Sequence, residues 1–234
     1  IPSDLVTYLI RSGQDAVLGG TTQEVSIFFS DVADFTTISE VLSPDELVKH
    51  LGDYLGWYST IIARSGGTVD KYIGDAVMAF WNAPSRMENY PHAACRAALQ
   101  CVTKLGELKE GWEQRGLPPL RTRIGLHVGS VIVGNMGSEE RLNYTVIGDA
   151  VNLASRLEGL AKNYGVDILV SEDIYKRCKQ EFRFRRLDRV TVKGRSVPVT
   201  VYELVCENDD RTRLIDAWIN TYERGLNAYF DQNW

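Results

Sequence analysis

The sequence predicts an α+β sandwich in which helices cover a largely antiparallel sheet. Segments with strand-like and helix-like patterns alternate along the chain, and neighbouring strand segments are joined by short glycine-containing turns. The 234 residues are 44% hydrophobic and 24% charged, which is the composition of an ordinary globular domain. The longest strongly apolar run, residues 25–29, is far shorter than the roughly 20 residues that cross a bilayer.

The first half of the chain predicts a strand, a capped helix and a hairpin. Glu24–Ser30 is apolar and β-rich, and it ends at Asp31. A helix follows from the N-cap residue Ser43, because Pro44 suits the first helical position and Glu46 completes a capping box. The next elements are two strands joined by a tight turn, and then a long helix: Thr68–Ile73, Gly74-Asp75, Ala76–Trp81, and His92 to about Arg115.

The second half predicts shorter strands around one clear helix. Two strand segments, residues 121–128 and 131–136, are separated by Gly129-Ser130, and a glycine-flanked loop over residues 137–143 follows. A helix opens at about Asp149, with apolar residues at helical spacing. A short strand, Tyr144–Ile147, precedes this helix. The elements that follow it are a strand, a helix and two further strands: Ile168–Val170, the helix from Ser171, Phe182–Leu187 and Val197–Val205.

The two ends differ from this body, so the sequence divides into three parts. We expect residues 1–20 to form an N-terminal helix or linker, residues 21–206 the main domain, and residues 207–234 an amphipathic helix that resembles the start of a helical repeat. Because the first residues contain neither a Met nor a signal region, we expect a piece of a longer protein. Four cysteines without a CxxC pair indicate reduced thiols and a cytoplasmic domain, and membrane attachment of the whole protein stays open.

The charge balance and the motifs exclude several classes of function. The net charge of −5 gives no basic field that would hold a nucleic-acid polymer. The glycine-rich stretch Gly134–Gly137 matches neither a Walker phosphate loop nor a dinucleotide fingerprint. His50, His92 and His127 have no spacing suited to a zinc site or a catalytic triad, so we interpret them as structural.

Two aspartates occupy positions suited to a metal ion. Asp31 ends an apolar strand and Asp75 lies at the tip of an apolar hairpin, where an ionised carboxylate is costly unless a cation or a donor meets it. If both reach one sheet edge, their oxygens suit Mg²⁺, which completes its shell with phosphate and water. The alternative is that each aspartate serves only its own turn.

One polar pair and one basic turn suit nucleotide binding. Asn152 and Arg156 lie four residues apart, so they share one face of the predicted helix, and Arg offers a planar fork of donors to phosphate. Lys193-Gly194-Arg195 is a basic turn between two strands. In each case a purely solvated surface is the alternative interpretation.

Four segments, in this order, resemble the signature segments of class III nucleotidyl cyclases. They are FSDVADFT (29–36), DKYIGDAVMAFW (70–81), RIGLHVGSVIVGNMG (123–137) and YTVIGDAVNLASRLE (144–158). The resemblance extends from about Leu18 to Val205. It implies an expanded ferredoxin-like βαββαβ core, used as a head-to-tail homodimer with active sites between the subunits.

The resemblance also implies a role for each matched position. The metal-binding positions are Asp31, Asp75 and the main-chain carbonyl of Val32. The base-reading positions are Lys71 and Thr145, a combination that resembles adenine-selective enzymes, whereas guanylate cyclases carry Glu and Cys. Catalysis and the remaining substrate contacts fall to five positions: Asn152, Arg156, Lys193, Phe35 and Thr36.

The implied reaction converts ATP to 3′,5′-cyclic AMP and pyrophosphate, because the ribose 3′ hydroxyl attacks the α-phosphate. Two Mg²⁺ ions per site are the implied cofactors, and Mn²⁺ is the implied substitute. The expected partners are ATP, a second copy of the chain, an upstream sensor and a downstream helical repeat region.

One departure and three alternatives accompany this interpretation. Asp34 stands where the family commonly has Gly, so its charge would repel the triphosphate if it pointed inward. The rivals are a guanylate cyclase, which Lys71 and Thr145 oppose, and a catalytically silent nucleotide-sensing dimerisation module. A diguanylate cyclase would need a Gly-Gly-acidic hairpin, which the sequence lacks.

Overall fold

The computed structural model describes residues 18–138, 141–191, 198–208 and 213–232, which form one sheet with helices on both faces. Its helices are α1 (Phe35–Val41), α2 (Pro44–Arg64), α3 (Tyr90–Gln114), α4 (Asp149–Tyr164), α5 (Glu172–Cys178) and α6 (Arg213–Phe230). Its strands are β1 (Gly19–Val32), β2 (Thr68–Ile73), β3 (Ala76–Trp81), β4 (Thr122–Ser138), β5 (Arg141–Ile147), β6 (Ile168–Ser171), β7 (Phe182–Val190) and β8 (Val199–Glu207). The predicted N-terminal helix or linker spans residues 1–20. Of these, residues 1–17 lie outside the described residues.

The sheet is largely antiparallel, as predicted. Its strand order is β2-β3-β1-β4-β6-β8-β7, and β5 pairs with β4 beside this path. The pair β4–β6 is parallel, and the other recorded pairs are antiparallel. The long strands β1 and β4 lie side by side at its centre, and their register places Asp31 opposite Arg123.

The first predicted helix and hairpin are confirmed almost residue for residue. The Ser43 hydroxyl accepts from the Glu46 N–H at 3.4 Å, and the Glu46 carboxylate accepts from the Ser43 N–H at 3.0 Å, so the capping box is formed. The hairpin turn is two residues long because Ile73 pairs with Ala76. Gly74 adopts a φ of +66°, which glycine tolerates without a steric penalty.

Two predicted interruptions in the second half are wrong. Strand β4 continues through Gly129 and Ser130, since the equally extended β1 pairs with both residues. A Cβ on Gly129 would lie 2.7 Å from the Cβ of Ala150, so this glycine permits close packing of α4 and makes no turn. The predicted loop over residues 137–143 is also wrong, because β4 and β5 form a hairpin in which Ser138 pairs with Arg141.

The buried side chains form three clusters, and the first two lie on opposite faces of the sheet. The first cluster lies under α2, α3 and α5 and is built around large aromatic residues, including Phe28, Tyr54, Tyr58, Trp81 and Trp112. The second cluster lies on the opposite face under α4 and includes Val25, Ile27, Met78, Phe80 and Ala154. A third cluster joins the inner side of α4 to β6, β7 and β8 and includes Leu153, Leu157, Leu169, Leu187 and Val201.

The C-terminal helix α6 packs on β7 through arginine and aromatic side chains. The Arg185 guanidinium lies 4.6 Å from the ring of Trp218 and 4.5 Å from the ring of Tyr222. Arg183 Nε pairs with Asp216 at 2.5 Å. The structure ends this helix at Phe230, whereas the sequence predicted helix to the last residue, and it extends the preceding strand β8 to Glu207. In the described part of the chain, no helix has the length and apolar character needed to cross a bilayer.

Candidate active site

The first group of predicted site residues gathers where β1 ends beside the β2–β3 hairpin. Because β3 pairs with β1, the tip of the hairpin lies next to the end of β1. The carboxyl groups of Asp31 and Asp75 are close enough for Asp75 to raise the pKa of Asp31. The Val32 N–H donates to Asp75 Oδ2 at 3.2 Å. The structure therefore brings together the three residues that the resemblance groups as metal ligands.

Arg123 and Glu158, which the sequence analysis did not single out, lie beside the two aspartates. We call Asp31, Asp75, Arg123 and Glu158 the acidic cluster. Arg123 Nη2 lies 3.1 Å from Asp31 Oδ2, and Arg123 Nε lies 3.3 Å from Glu158 Oε1. The side chains of Arg123 and Glu158 are each only 15% exposed. Both residues stand inside the quoted motif segments, but only the β1–β4 register and the placement of α4 reveal what they contact.

The acidic cluster carries more negative charge than its arginine offsets. Burial, followed by the hydrogen bond and the charge of Asp75, raises the pKa of Asp31 to about 6, although Arg123 acts in the opposite direction. Burial also raises the pKa of Glu158, and the charge of Asp31 adds to this effect. A cation placed between the carboxylates would stabilise their ionised forms and so lower both pKa values.

The chemistry of the acidic cluster fits a hard divalent cation. Its donors are carboxylate and main-chain oxygens, which Mg²⁺ prefers. Across the described ranges, no three His, Cys, Asp or Glu side chains converge in an arrangement that could hold a metal by themselves. An ion bound at Asp31 and Asp75 therefore needs further oxygen ligands, such as the phosphates of a substrate.

The second group of predicted residues meets between β2 and β5. Lys71 Nζ lies 3.4 Å from Thr145 Oγ1 although 74 residues separate them in the chain. Asp70 contacts both, because its Oδ1 lies 3.2 Å from Lys71 Nζ and its Oδ2 accepts a hydrogen bond from the Thr145 hydroxyl. The predicted base-reading residues are therefore neighbours, and Asp70 is a partner that the sequence analysis missed.

The polar pair on α4 projects away from the core. Asn152 is exposed and Arg156 is half-buried, whereas Ala154 and Leu157 are fully buried. Within the described ranges, neither Asn152 nor Arg156 is hydrogen-bonded or ion-paired to Asp31 or Asp75. Within the described residues of one copy, these two sets of predicted site residues are therefore not in polar contact.

The turn after β1 and the start of α1 contain the remaining described candidates. Asp34 is exposed and adopts a φ of 56°, the left-handed conformation that Asp tolerates better than most residues. Phe35 packs at the edge of the first cluster, and Thr36 is exposed at the start of α1. Lys193, the predicted triphosphate-binding residue, lies outside the described residues.

The acidic cluster and the predicted base-reading residues face the same side of the sheet. Asp31 points to the side of Ile27, since alternate residues of a strand share a face, and Lys71 stands opposite Met78 in the β2–β3 ladder. Ile27 and Met78 both belong to the second cluster. A cavity of about 520 Å³ near Trp57, between α2, α3 and β8, lies on the opposite face and contains none of the predicted site residues.

The comparisons with known proteins agree with the four signature segments. The family model for the adenylate and guanylate cyclase catalytic domain matches residues 18–205. The chain belongs to this family. Adenylate cyclase 1 of Rhizobium meliloti (strain 1021) is 42% identical over 205 residues, which are 88% of this cyclase chain and 31% of that relative. The chain thus spans about a third of that relative's length.

Solved cyclase structures share the fold of this cyclase chain. The adenylyl cyclase CyaB from P. aeruginosa has a TM-score of 0.76 and 35% identity over 83% of this chain and 98% of that one. The guanylyl cyclase Cya2 has a TM-score of 0.74 and 31% identity over the same shares. The family and the ferredoxin-like fold that the sequence predicted are confirmed. Both kinds of cyclase match almost equally well in fold, so the fold alone does not decide which nucleotide this domain uses.

Proposed function

We propose that this cyclase domain converts ATP to 3′,5′-cyclic AMP and pyrophosphate. The observation that carries this proposal is the contact between Lys71 and Thr145 on the face of the sheet that also carries Asp31. Lys71 can donate to N1 of adenine, an acceptor, whereas guanine has a donor at that position. A guanine base would leave the Lys71 ammonium group facing another donor, which can reduce the rate by orders of magnitude.

The acidic cluster would hold the metal ions of the reaction. Asp31, Asp75 and the Val32 carbonyl supply the oxygens on the protein side, and the triphosphate supplies others. Mg²⁺ bound there would lower the pKa of the 3′ hydroxyl and offset the charge of the triphosphate. Arg123 keeps Asp31 oriented by pairing with its Oδ2.

The residues of α4 would act on the reacting groups. Arg156 would donate to the α-phosphate oxygens as negative charge builds there, and a preorganised donor of this kind contributes about 3 kcal/mol. Asn152 would orient the ribose so that the 3′ hydroxyl is aligned with the α-phosphate. Lys193 would bind the outer phosphates, and Phe35 and Thr36 would line the start of the phosphate loop.

Two copies of the chain would be needed to assemble each site. Within one copy, Asn152 and Arg156 have no hydrogen bond or ion pair with the acidic cluster in the described residues. A head-to-tail homodimer would place the acidic cluster of one copy against α4 and the base-reading residues of the other, and its two-fold symmetry would produce two identical sites.

The proposal is tested by measuring the product formed from ATP over a range of protein concentrations. We expect cyclic AMP in the presence of Mg²⁺ or Mn²⁺, none with a chelator, and a specific activity that rises with protein concentration as dimers form. Asp75→Asn should abolish product formation, and Asp167→Asn, in an exposed pair with Arg121, should not. Folded, dimeric protein that produced no cyclic AMP would favour the silent nucleotide-sensing module, and a preference for GTP would favour the guanylate cyclase.

A further inference from the structure

Asp70 contacts both of the proposed base-reading side chains. Its side chain is only 1% exposed. One carboxylate oxygen, Oδ1, pairs with Lys71 Nζ at 3.2 Å, and the other, Oδ2, accepts the hydroxyl proton of Thr145. A buried carboxylate with both oxygens engaged in this way fixes the positions of its partners as well as its own.

A β-bulge explains how neighbouring residues reach the same point. In the β2–β3 ladder Val69 pairs with Ala79 and Lys71 pairs with Met78, so Asp70 is an extra residue without a partner of its own. In a regular strand Asp70 and Lys71 would point to opposite faces of the sheet. The bulge redirects the Asp70 side chain, which is a known use of bulges beside active sites.

The hydrogen bonds of Thr145 leave its oxygen as an acceptor. A threonine hydroxyl has one proton to donate and two lone pairs. The proton points to Asp70 Oδ2, because an ionised carboxylate can only accept. One lone pair faces Lys71 Nζ at 3.4 Å, and within the described residues the other has no recorded partner, so it can accept from a ligand.

Within the described residues, the contacts of Lys71 leave one of its donors without a partner. A lysine ammonium group has three N–H donors. One is directed at Asp70 Oδ1 and one at Thr145 Oγ1. The third can reach a ligand, so this triad of Asp70, Lys71 and Thr145 presents one acceptor and one donor side by side.

We propose that Asp70 is a positioning residue that determines base specificity by accepting the hydrogen bond that the Thr145 hydroxyl donates. The acceptor on Thr145 then matches the N6 amino group of adenine, and the free donor on Lys71 matches N1. Guanine presents an acceptor at O6 and a donor at N1, so it opposes the triad at both atoms. This inference rests on the proposed function, because it assumes that the triad reads the base of the substrate.

The substitution Asp70→Asn tests the direction of the Thr145 hydrogen bond. The amide oxygen would pair with Lys71, so the amide N–H would point at Thr145 and its hydroxyl would have to accept. The freed hydroxyl proton could then donate to O6 of guanine. We expect the ratio of kcat/KM for ATP to that for GTP to fall roughly 10- to 100-fold, with part of the fall due to a gain with GTP.

Two further variants distinguish positioning from a general loss of structure. The double variant combines Asp70→Asn with Thr145→Asp. A carboxylate at position 145 accepts hydrogen bonds whichever side chain stands at position 70, so the preference for ATP should return. Asp188→Asn is the matched control, because Asp188 Oδ2 also accepts from a hydroxyl, that of Tyr164 at 2.8 Å, but on β7. It should leave the ATP to GTP ratio unchanged.

The inference is overturned if Asp70→Asn slows both nucleotides equally, or if the double variant does not regain its preference for ATP. Binding of 3′-deoxy-ATP and 3′-deoxy-GTP, which lack the attacking hydroxyl, should follow the same order in titration calorimetry. If the unsubstituted protein forms no cyclic nucleotide, the proposed function fails. The two deoxy analogues then still test the role of Asp70, because equal ratios of their affinities in the unsubstituted and Asp70→Asn proteins would reject it.

Discussion

Asp31 and Arg123 face each other across the β1–β4 ladder, and Arg123 Nη2 lies 3.1 Å from Asp31 Oδ2. The same guanidinium holds Glu158 on α4, so one side chain joins the end of β1 to the helix that carries Asn152 and Arg156. The arginine does not fully offset the acidic groups, since the pKa of Asp31 is raised to about 6. Negative charge in the acidic cluster therefore remains partly uncompensated until a cation binds.

Metal-free protein should lose stability as the pH rises through the titration of Asp31. Its pKa is about 6 in the folded protein and 3.8 without the surrounding structure, so the folded state binds the proton more tightly. The resulting stabilisation is complete below about pH 4 and is lost as the pH rises past 6. We expect Asp31→Asn to be the more stable protein at pH 7 in chelator, with a smaller difference at pH 4.

Thermal unfolding at several pH values, with and without Mg²⁺, measures this effect. Mg²⁺ should raise the melting temperature of the unsubstituted protein at pH 7 and leave that of Asp31→Asn unchanged. Asp167→Asn is the control, because Asp167 also pairs with an arginine, Arg121, at 2.6 Å but is exposed. An equal pH dependence in the Asp31→Asn protein would contradict the prediction.

Two inactive variants should restore activity when they are combined. Asp31→Ala removes a proposed metal ligand and Arg156→Ala removes the proposed phosphate donor, and in a shared site these come from different copies. Random pairing makes half of the dimers mixed, each with one intact site, so about a quarter of the original activity should return. The measurement is cyclic AMP formation after the two proteins are unfolded and refolded together.

The control for this experiment is a mixture of two variants on the same side of the site. Asp31→Ala and Asp75→Ala damage the same half, so their mixed dimers contain no intact site. Activity in that mixture, or none in the first mixture although mixed dimers are present, would reject the shared site.

Gly125 should be required for the position of α4. A Cβ at this residue would lie 2.3 Å from both Ala154 O and Glu158 N, so even alanine would push the helix away from β4. We expect Gly125→Ala to lower the free energy of unfolding by about 1 to 3 kcal/mol. It should also lower kcat, because α4 carries Asn152 and Arg156.

Gly106→Ala provides the matched control for this substitution. Gly106 lies within α3 and a Cβ there would meet nothing within 4 Å, so alanine should stabilise the protein by about 0.5 to 1 kcal/mol. Chemical denaturation and ATP turnover of both variants check the prediction. If Gly125→Ala behaved like Gly106→Ala, α4 would have room that the structure does not show.

Local sequence signals determined the elements whose ends depend on nearby residues. The capping box of Ser43 and Glu46 and the turn at Gly74 act within a few residues, so α2 and the β2–β3 hairpin could be predicted from the chain alone. Gly129 shows where such signals fail. Its role is to admit Ala150 from a helix some twenty residues later, and local composition cannot distinguish that from a turn.

The candidate site also contains residues that the sequence identified and partners that only the structure revealed. The motif segments identified Asp31, Asp75, Lys71 and Thr145 as candidates, because the resemblance is carried by the residues themselves. Only the tertiary structure decided that Arg123 pairs with Asp31, and that Asp70 accepts a hydrogen bond from the Thr145 hydroxyl 75 residues later in the sequence. Strand register and a bulge select those partners, and both depend on the free energy of the whole sheet, to which distant parts of the chain contribute.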